Sequence, residues 1–156
     1  MFKLRLSFLA VLCALSVPFV SAQDEKPKPE PAKPQASVAS KTAKFGSLKV
    51  GDAAIAKALK ASDLAGAKKL IGKEGAFEGT VVKVFSPSSN GLVILNFDKN
   101  YRNALTAVLR VKHYAEFPDM QSLKGKHVLI SGKFEDFKGS PEVVLTKPEQ
   151  LKLIVE

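Results

Sequence analysis

Between Phe77 and Leu145 the large apolar residues recur at about every second position, in short runs cut by polar, glycine- or proline-containing breaks. No other feature constrains the fold as much. A period of two sends alternate side chains to opposite faces, so each run reads as a strand with one buried face. Phe77, Gly79 and Val81 alternate with Glu78 and Thr80 in a first run that reaches Phe85. Residues 87–91 carry turn chemistry, Pro-Ser-Ser-Asn-Gly. Residues 92–97 form a second run, 98–103 a polar loop and 104–112 a third run. Residues 113–123 contain Pro118 and leave room for one or two helical turns. The fourth run, 126–137, places Val128, Ile130, Gly132 and Phe134 on one face. After a tight turn at 138–140 come a fifth run, 141–145, and a terminal piece, 151–155.

Ahead of this segment the period is helical. Asp52 can cap a helix over 53–61 whose Ile55, Ala58 and Leu59 share a face. Ser62-Asp63 can cap a second helix, with Leu64, Ala67, Lys68 and Ile71 on one side and Gly72 as its stop. Glycines inside the first and fourth strands, Gly79 and Gly132, suit tight bends at barrel corners. The pattern predicts a mainly β chain: a five-stranded OB-fold barrel over 73–156 with a short helical extension over 45–72. An open antiparallel sheet with helices on one face is the alternative.

The N-terminal 22 residues have the composition of a secretory signal peptide. Lys3 and Arg5 precede an apolar stretch, Phe8 to Val20, and Val20-Ser21-Ala22 offers small residues for cleavage. The stretch falls short of the roughly 20 residues that span a bilayer, so no integral membrane segment is expected after cleavage. The single cysteine, Cys13, would leave with this peptide. Disulfides, thiol catalysis and thiolate metal sites are then excluded. Residues 23–44 hold prolines 27, 29, 31 and 34 among Lys, Glu and Ala, a composition that stays extended and solvated. The expected location is periplasmic or secreted.

Several short motifs follow one another in a recognisable order: Gly75-Ala-Phe-Glu-Gly-Thr-Val81, Leu95-Asn-Phe97, Thr106-Ala-Val108, Phe117-Pro118, Leu123-Lys-Gly-Lys-His-Val128, Gly139-Ser-Pro-Glu-Val143 and Pro148-Glu-Gln-Leu151. In these the chain resembles the bacterial nucleic-acid-binding-like OB domains, some of them attached to thermonuclease-type nucleases in exported proteins. The likeness covers roughly residues 66 to 155. It implies an OB barrel and a nucleic-acid-binding surface. The small periplasmic OB-fold stress proteins are similar in layout alone.

The sequence argues against catalysis. A thermonuclease-type site needs clustered carboxylates for a metal and arginines for phosphate. After residue 22 there are two arginines, Arg102 and Arg110, and the acids are scattered. Glu135 and Asp136 are adjacent, so on a strand they point to opposite faces. His113 and His127 have no evident carboxylate or nucleophile partner and read as solvated side chains. No nucleophile elbow is present, and Gly125-Lys126 lacks the rest of a phosphate loop. No metal and no cofactor are expected.

Binding is better supported. The chain carries a formal charge of +9, and residues 45–156 hold 17 basic against 12 acidic groups, which allows an anionic partner. OB barrels bind single strands on the face of strands two and three and on nearby loops. The residues expected there are Lys99, Tyr101, Arg102, Arg110 and Lys112, with Phe137 and Lys138 from the last turn. Tyr101 with Arg102 and Phe137 with Lys138 are the aromatic-basic pairs that could stack a base and hold a phosphate. Phe77, Phe97, Phe117 and Phe134 fall on buried positions by alternation, while Phe85 is left open. The expected function is a noncatalytic exported module binding single-stranded nucleic acid or another polyanion. The alternative is a periplasmic module that engages an envelope protein and has no nucleic-acid affinity.

Overall fold

A computed structural model describes residues 42–86 and 91–156. The expected leader over 1–22, the linker as far as residue 41 and most of the 87–91 turn lie outside the described residues.

The chain is mainly β. In order it forms β1 (Gly46–Lys49), α1 (Ala53–Ala56), β2 (Leu59–Lys60), α2 (Leu64–Leu70), β3 (Glu74–Thr80), β4 (Lys83–Phe85), β5 (Leu92–Asn96), β6 (Thr106–Arg110), β7 (His127–Phe137), β8 (Ser140–Leu145) and β9 (Leu151–Val155). Short 3-10 turns cover Tyr101–Asn103, Val111–Glu116, Met120–Leu123 and Pro148–Gln150. Asp63 caps α2, its side chain accepting from the Gly66 amide at 2.8 Å.

Pairing runs β3–β7–β8–β6–β5–β4. Every pair in that series is antiparallel except β6 with β8, which is parallel. Because β4 follows β3 after two residues, the sheet curls back on itself into a barrel-like form. The hydrogen bonds of those two residues explain the turn. The Val81 amide donates to Lys126 O on the β7 side, and the Val82 amide donates to Asn96 O at the end of β5. One strand therefore serves both halves of the curl and changes partner within a single peptide unit.

Three sequence expectations are corrected. The helix expected over 53–61 ends at Ala56. Leu59 and Lys60 instead pair in parallel with Phe77 and Glu78, since nine helical residues alone are marginal and this pairing places Leu59 against the core. Residues 45–72 are thus only partly helical. β1 was not foreseen: Gly-Ser-Leu-Lys has little strand character, and it forms by parallel pairing with β9. The strand count is accordingly nine rather than five among the described residues.

The inward faces meet in one core. Phe77 packs edge-on against Phe97, with ring centres 5.1 Å apart, and against Phe134 at 6.2 Å. Phe117, Leu95, Leu105, Leu109, Ile130, Leu145 and Leu151 are fully buried beside them. The two strand glycines have different roles. Gly132 has φ of 152° and lies where β7 passes from pairing with β3 to pairing with β8, a corner as expected. Gly79 is not the bend. It allows close approach: a Cβ there would lie 2.8 Å from Ala61 Cβ and 3.0 Å from the Phe97 ring.

Replacing Gly79 by Ala overfills that contact. Gly79→Ala should lower stability by about 1–3 kcal/mol, measured as a reduced urea midpoint with an unchanged slope.

Candidate functional site

The alternation that fills the core leaves an outward face on β4, β5, β6 and β8. Val93, Leu95, Ala107, Leu109, Val143 and Leu145 point inward and are buried. Their neighbours point outward and fall into two rows set by the register. Phe85, Ile94 and Val108 align across β4, β5 and β6. Asn96, Thr106 and Glu142 align across β5, β6 and β8. Val108 is only 6% exposed although it faces outward, because it lies on the floor of a cleft.

The cleft has a volume of about 370 Å³, inside the range of roughly 300–1,000 Å³ typical of ligand sites. Ile94 and Val108 give it an apolar floor, and Asn96, Thr106, Ser140 and Glu142 give it a polar side. The 3-10 turn at Tyr101–Asn103 brings Tyr101 and Arg102 to its rim, with Asn100 capping the turn through a 3.2 Å bond from the Arg102 amide. The β7–β8 turn brings Phe137 and Lys138.

Among the described residues the exposed aromatic side chains are Phe85, Tyr101 and Phe137, at 43%, 53% and 55% exposure, and all three border this cleft. Each carries its own cation. Lys83 Nζ lies 5.2 Å from the Phe85 ring centre, the Arg102 guanidinium 5.5 Å from Tyr101, and Lys138 Nζ 5.4 Å from Phe137. At exposed positions each contact contributes about 0.5–1 kcal/mol. Exposed aromatics that do not pack inward are chemically suited to a planar ligand.

Of the residues expected from sequence, Tyr101, Arg102, Phe137 and Lys138 come together here. Lys99 is exposed in the loop before the 3-10 turn and does not line the cleft. Lys112 is exposed in the turn after β6 and does not line it either. Arg110 closes β6 opposite Leu92, outside the lining, yet its charge acts on Glu142. Sequence reasoning missed Asn96, Thr106 and Glu142 in the lining, and also Lys83, which lies outside the lining but beside the Phe85 ring, and it left Phe85 undecided. The parity of β5 and β6 marks Asn96 and Thr106 as outward. Glu142 is marked by its parity against Val143.

Glu142 is half-buried. Burial pushes its carboxyl above the ordinary range, Glu135 pushes further, Arg110 pulls back and Asp136 adds to the rise. Glu135 is its cross-strand partner on β7. The cleft therefore joins a cationic rim to an acidic side.

A second ionisable group sits on the far strand. Glu78 on β3 is 3% exposed and accepts hydrogen bonds from Lys60 Nζ and from His127 Nε2. His127 is therefore not a plain solvated side chain. Nor is His113, whose Nδ1 lies 3.0 Å from Glu116 Oε1, three residues on. Neither histidine adjoins a nucleophile, and no three His, Cys, Asp or Glu side chains cluster as metal ligands among the described residues.

No family model matches the chain, and no curated protein matches it. Among solved structures, the chain is similar to an OBody bound to hen egg-white lysozyme, with 21% identity over 56% of this chain and 85% of that one, at a TM-score of 0.38. It is also similar to an aspartyl tRNA synthetase from Entamoeba histolytica, with 13% identity over 61% of this chain, at a TM-score of 0.42. The chain spans 21% of that synthetase.

Burial alone would raise the Glu78 carboxyl, but the bonds and charges of Lys60 and His127 outweigh it and hold the group below its ordinary value of 4.5. A lowered carboxylate contributes stability that is present above 4.5 and lost as pH falls through its folded value. The urea midpoint should fall on that side. Glu78→Gln should be about 1–2 kcal/mol less stable at pH 7, because the Lys60 end of the network is solvent-exposed and its share is partly screened, and its acid fall should be shallower.

Proposed function

We propose that this chain is an exported, noncatalytic binding module whose curled sheet is an OB-type barrel. In that description β3 and β4 are one bent strand, β5, β6, β7 and β8 are the other four, and α1 and α2 belong to an N-terminal extension. The ligand is single-stranded nucleic acid. One observation carries this: three exposed aromatic rings, each with a cation beside it, border one cleft on the outer face of β4, β5 and β6. Stacking on such rings tolerates any base, while Lys83, Arg102 and Lys138 hold the backbone. Export is supported by the basic-apolar-small order of residues 1–22.

A second reading has its own observation. Glu142 beside Glu135 and Asp136, next to an apolar floor of Ile94 and Val108, suits a cationic peptide segment of an envelope protein. Such a module would sit in the periplasm and show no oligonucleotide affinity.

Three cations imply about three neutralised phosphates and a log–log salt slope near −2 for a single strand. Affinity for a labelled oligothymidylate should thus fall about twentyfold between 50 and 200 mM salt. Tyr101→Ala and Phe85→Ala should each weaken binding by about 1–3 kcal/mol without changing the melting temperature by more than a few degrees. Lys99→Ala and Lys112→Ala should change it little. Absence of binding at low salt would overturn this reading in favour of the peptide one.

A further inference from the structure

Glu142 is an anomaly for a surface that holds an anion. It is half-buried in the cleft, and no side chain among the described residues donates a hydrogen bond to its carboxylate. Its oxygens keep contact with water, which serves as their donor. Arg110 offsets its charge from a distance, whereas Glu135 and Asp136 oppose it. A ligand resting in the cleft displaces that water and has to supply donors in its place.

The surroundings restrict what those donors belong to. Ile94 and Val108 form an apolar floor one row away on the same face, between Phe85 and Glu142. A planar ring resting on that floor turns an edge toward the polar row of Asn96, Thr106 and Glu142. An ionised carboxylate has two acceptor oxygens and no donor. It matches an edge with two neighbouring N–H groups. Thymine and uracil present one N–H between two carbonyls, whose oxygens repel the carboxylate. Cytosine and adenine present one amino group beside an acceptor nitrogen. Guanine presents N1–H and N2–H side by side.

Resting on the single-strand reading above, we propose that Glu142 makes the cleft select guanine, the carboxylate accepting from N1–H and N2–H while the ring lies on Ile94 and Val108. The phosphates are held at the rim, on Lys83, Arg102 and Lys138. Glu142 is then a specificity determinant, and the aromatic rim supplies the affinity common to all bases.

The test compares dT nonamers whose central base is changed to G, A or C, by fluorescence anisotropy with the purified protein. The central-guanine strand should bind roughly tenfold more tightly than all-thymine, the discrimination of one bidentate pair. Glu142→Gln, whose amide supplies only one acceptor oxygen, should abolish the preference while all-thymine binding persists. Glu135→Gln removes the same charge outside the cleft and should keep the preference, which separates base reading from a general loss of acidity. Melting curves confirm that both variants fold. Equal affinity for the four strands, with Phe85→Ala still weakening all of them, would overturn guanine selection and leave the single-strand reading intact. A preference that survives in Glu142→Gln would likewise overturn it. No binding of any strand would overturn both.

Discussion

Phe77 joins the two halves of the curled sheet. Its strand pairs with β7 and β2, its ring meets Phe97 at the end of β5 and Phe134 on β7, and the same chain continues through Val81 and Val82 to pair with β5. The curl exists because one continuous segment answers to both sides, and the core closes because Gly79 leaves room for Ala61 and Phe97 beside it. Aromatic edge contacts add about 0.5–1.5 kcal/mol beyond area burial. Their placement at the crossing makes curvature, rather than a flat sheet, the state that buries the most apolar surface.

The outer cleft follows from that curvature. Inward parity on β5 and β6 is taken by Val93, Leu95, Ala107 and Leu109, so Ile94, Asn96, Thr106 and Val108 must face out. Two loops stand at the edge of this face, one ending in the Asn100-capped turn and one in the β7–β8 hairpin, where Lys138 takes a positive φ of 53°. They place Tyr101 and Phe137 at the rim, where neither ring packs into the core. The resulting surface has two electrostatic characters. Cations sit beside rings at the rim, and a carboxylate with acidic neighbours sits at the side. A uniform polyanion would fit the first and be repelled by the second.

Much of the fold was legible because burial writes a period into the sequence. Five of the expected strand runs overlap β3 with β4, β5, β6, β7 and β8 closely, and Phe77, Phe97, Phe117 and Phe134 are buried as alternation requires. What escaped depends on distant partners. β1 forms against β9 and β2 against β3, pairings that no local pattern in Gly46–Lys49 or Leu59–Lys60 announces. The Glu78–His127 contact spans 49 residues. Within the site, residues whose type suggested a role, such as Tyr101 and Arg102, were legible. Lys99 and Lys112 had the right charge but lie outside the cleft lining, and Glu142 was hidden because its place comes from its register against Thr106 and Glu135.

The central claim is that the outer face of β4, β5 and β6 receives planar rings. Titrating the ¹⁵N-labelled protein with a short single-stranded oligonucleotide and following amide shifts tests it most directly. The account predicts the largest shifts at Phe85, Ile94, Arg102, Val108 and Lys138, with little change along β3 and β9. Shifts concentrated around Lys133, Lys147 and Gln150, or no shifts at low salt, would contradict it.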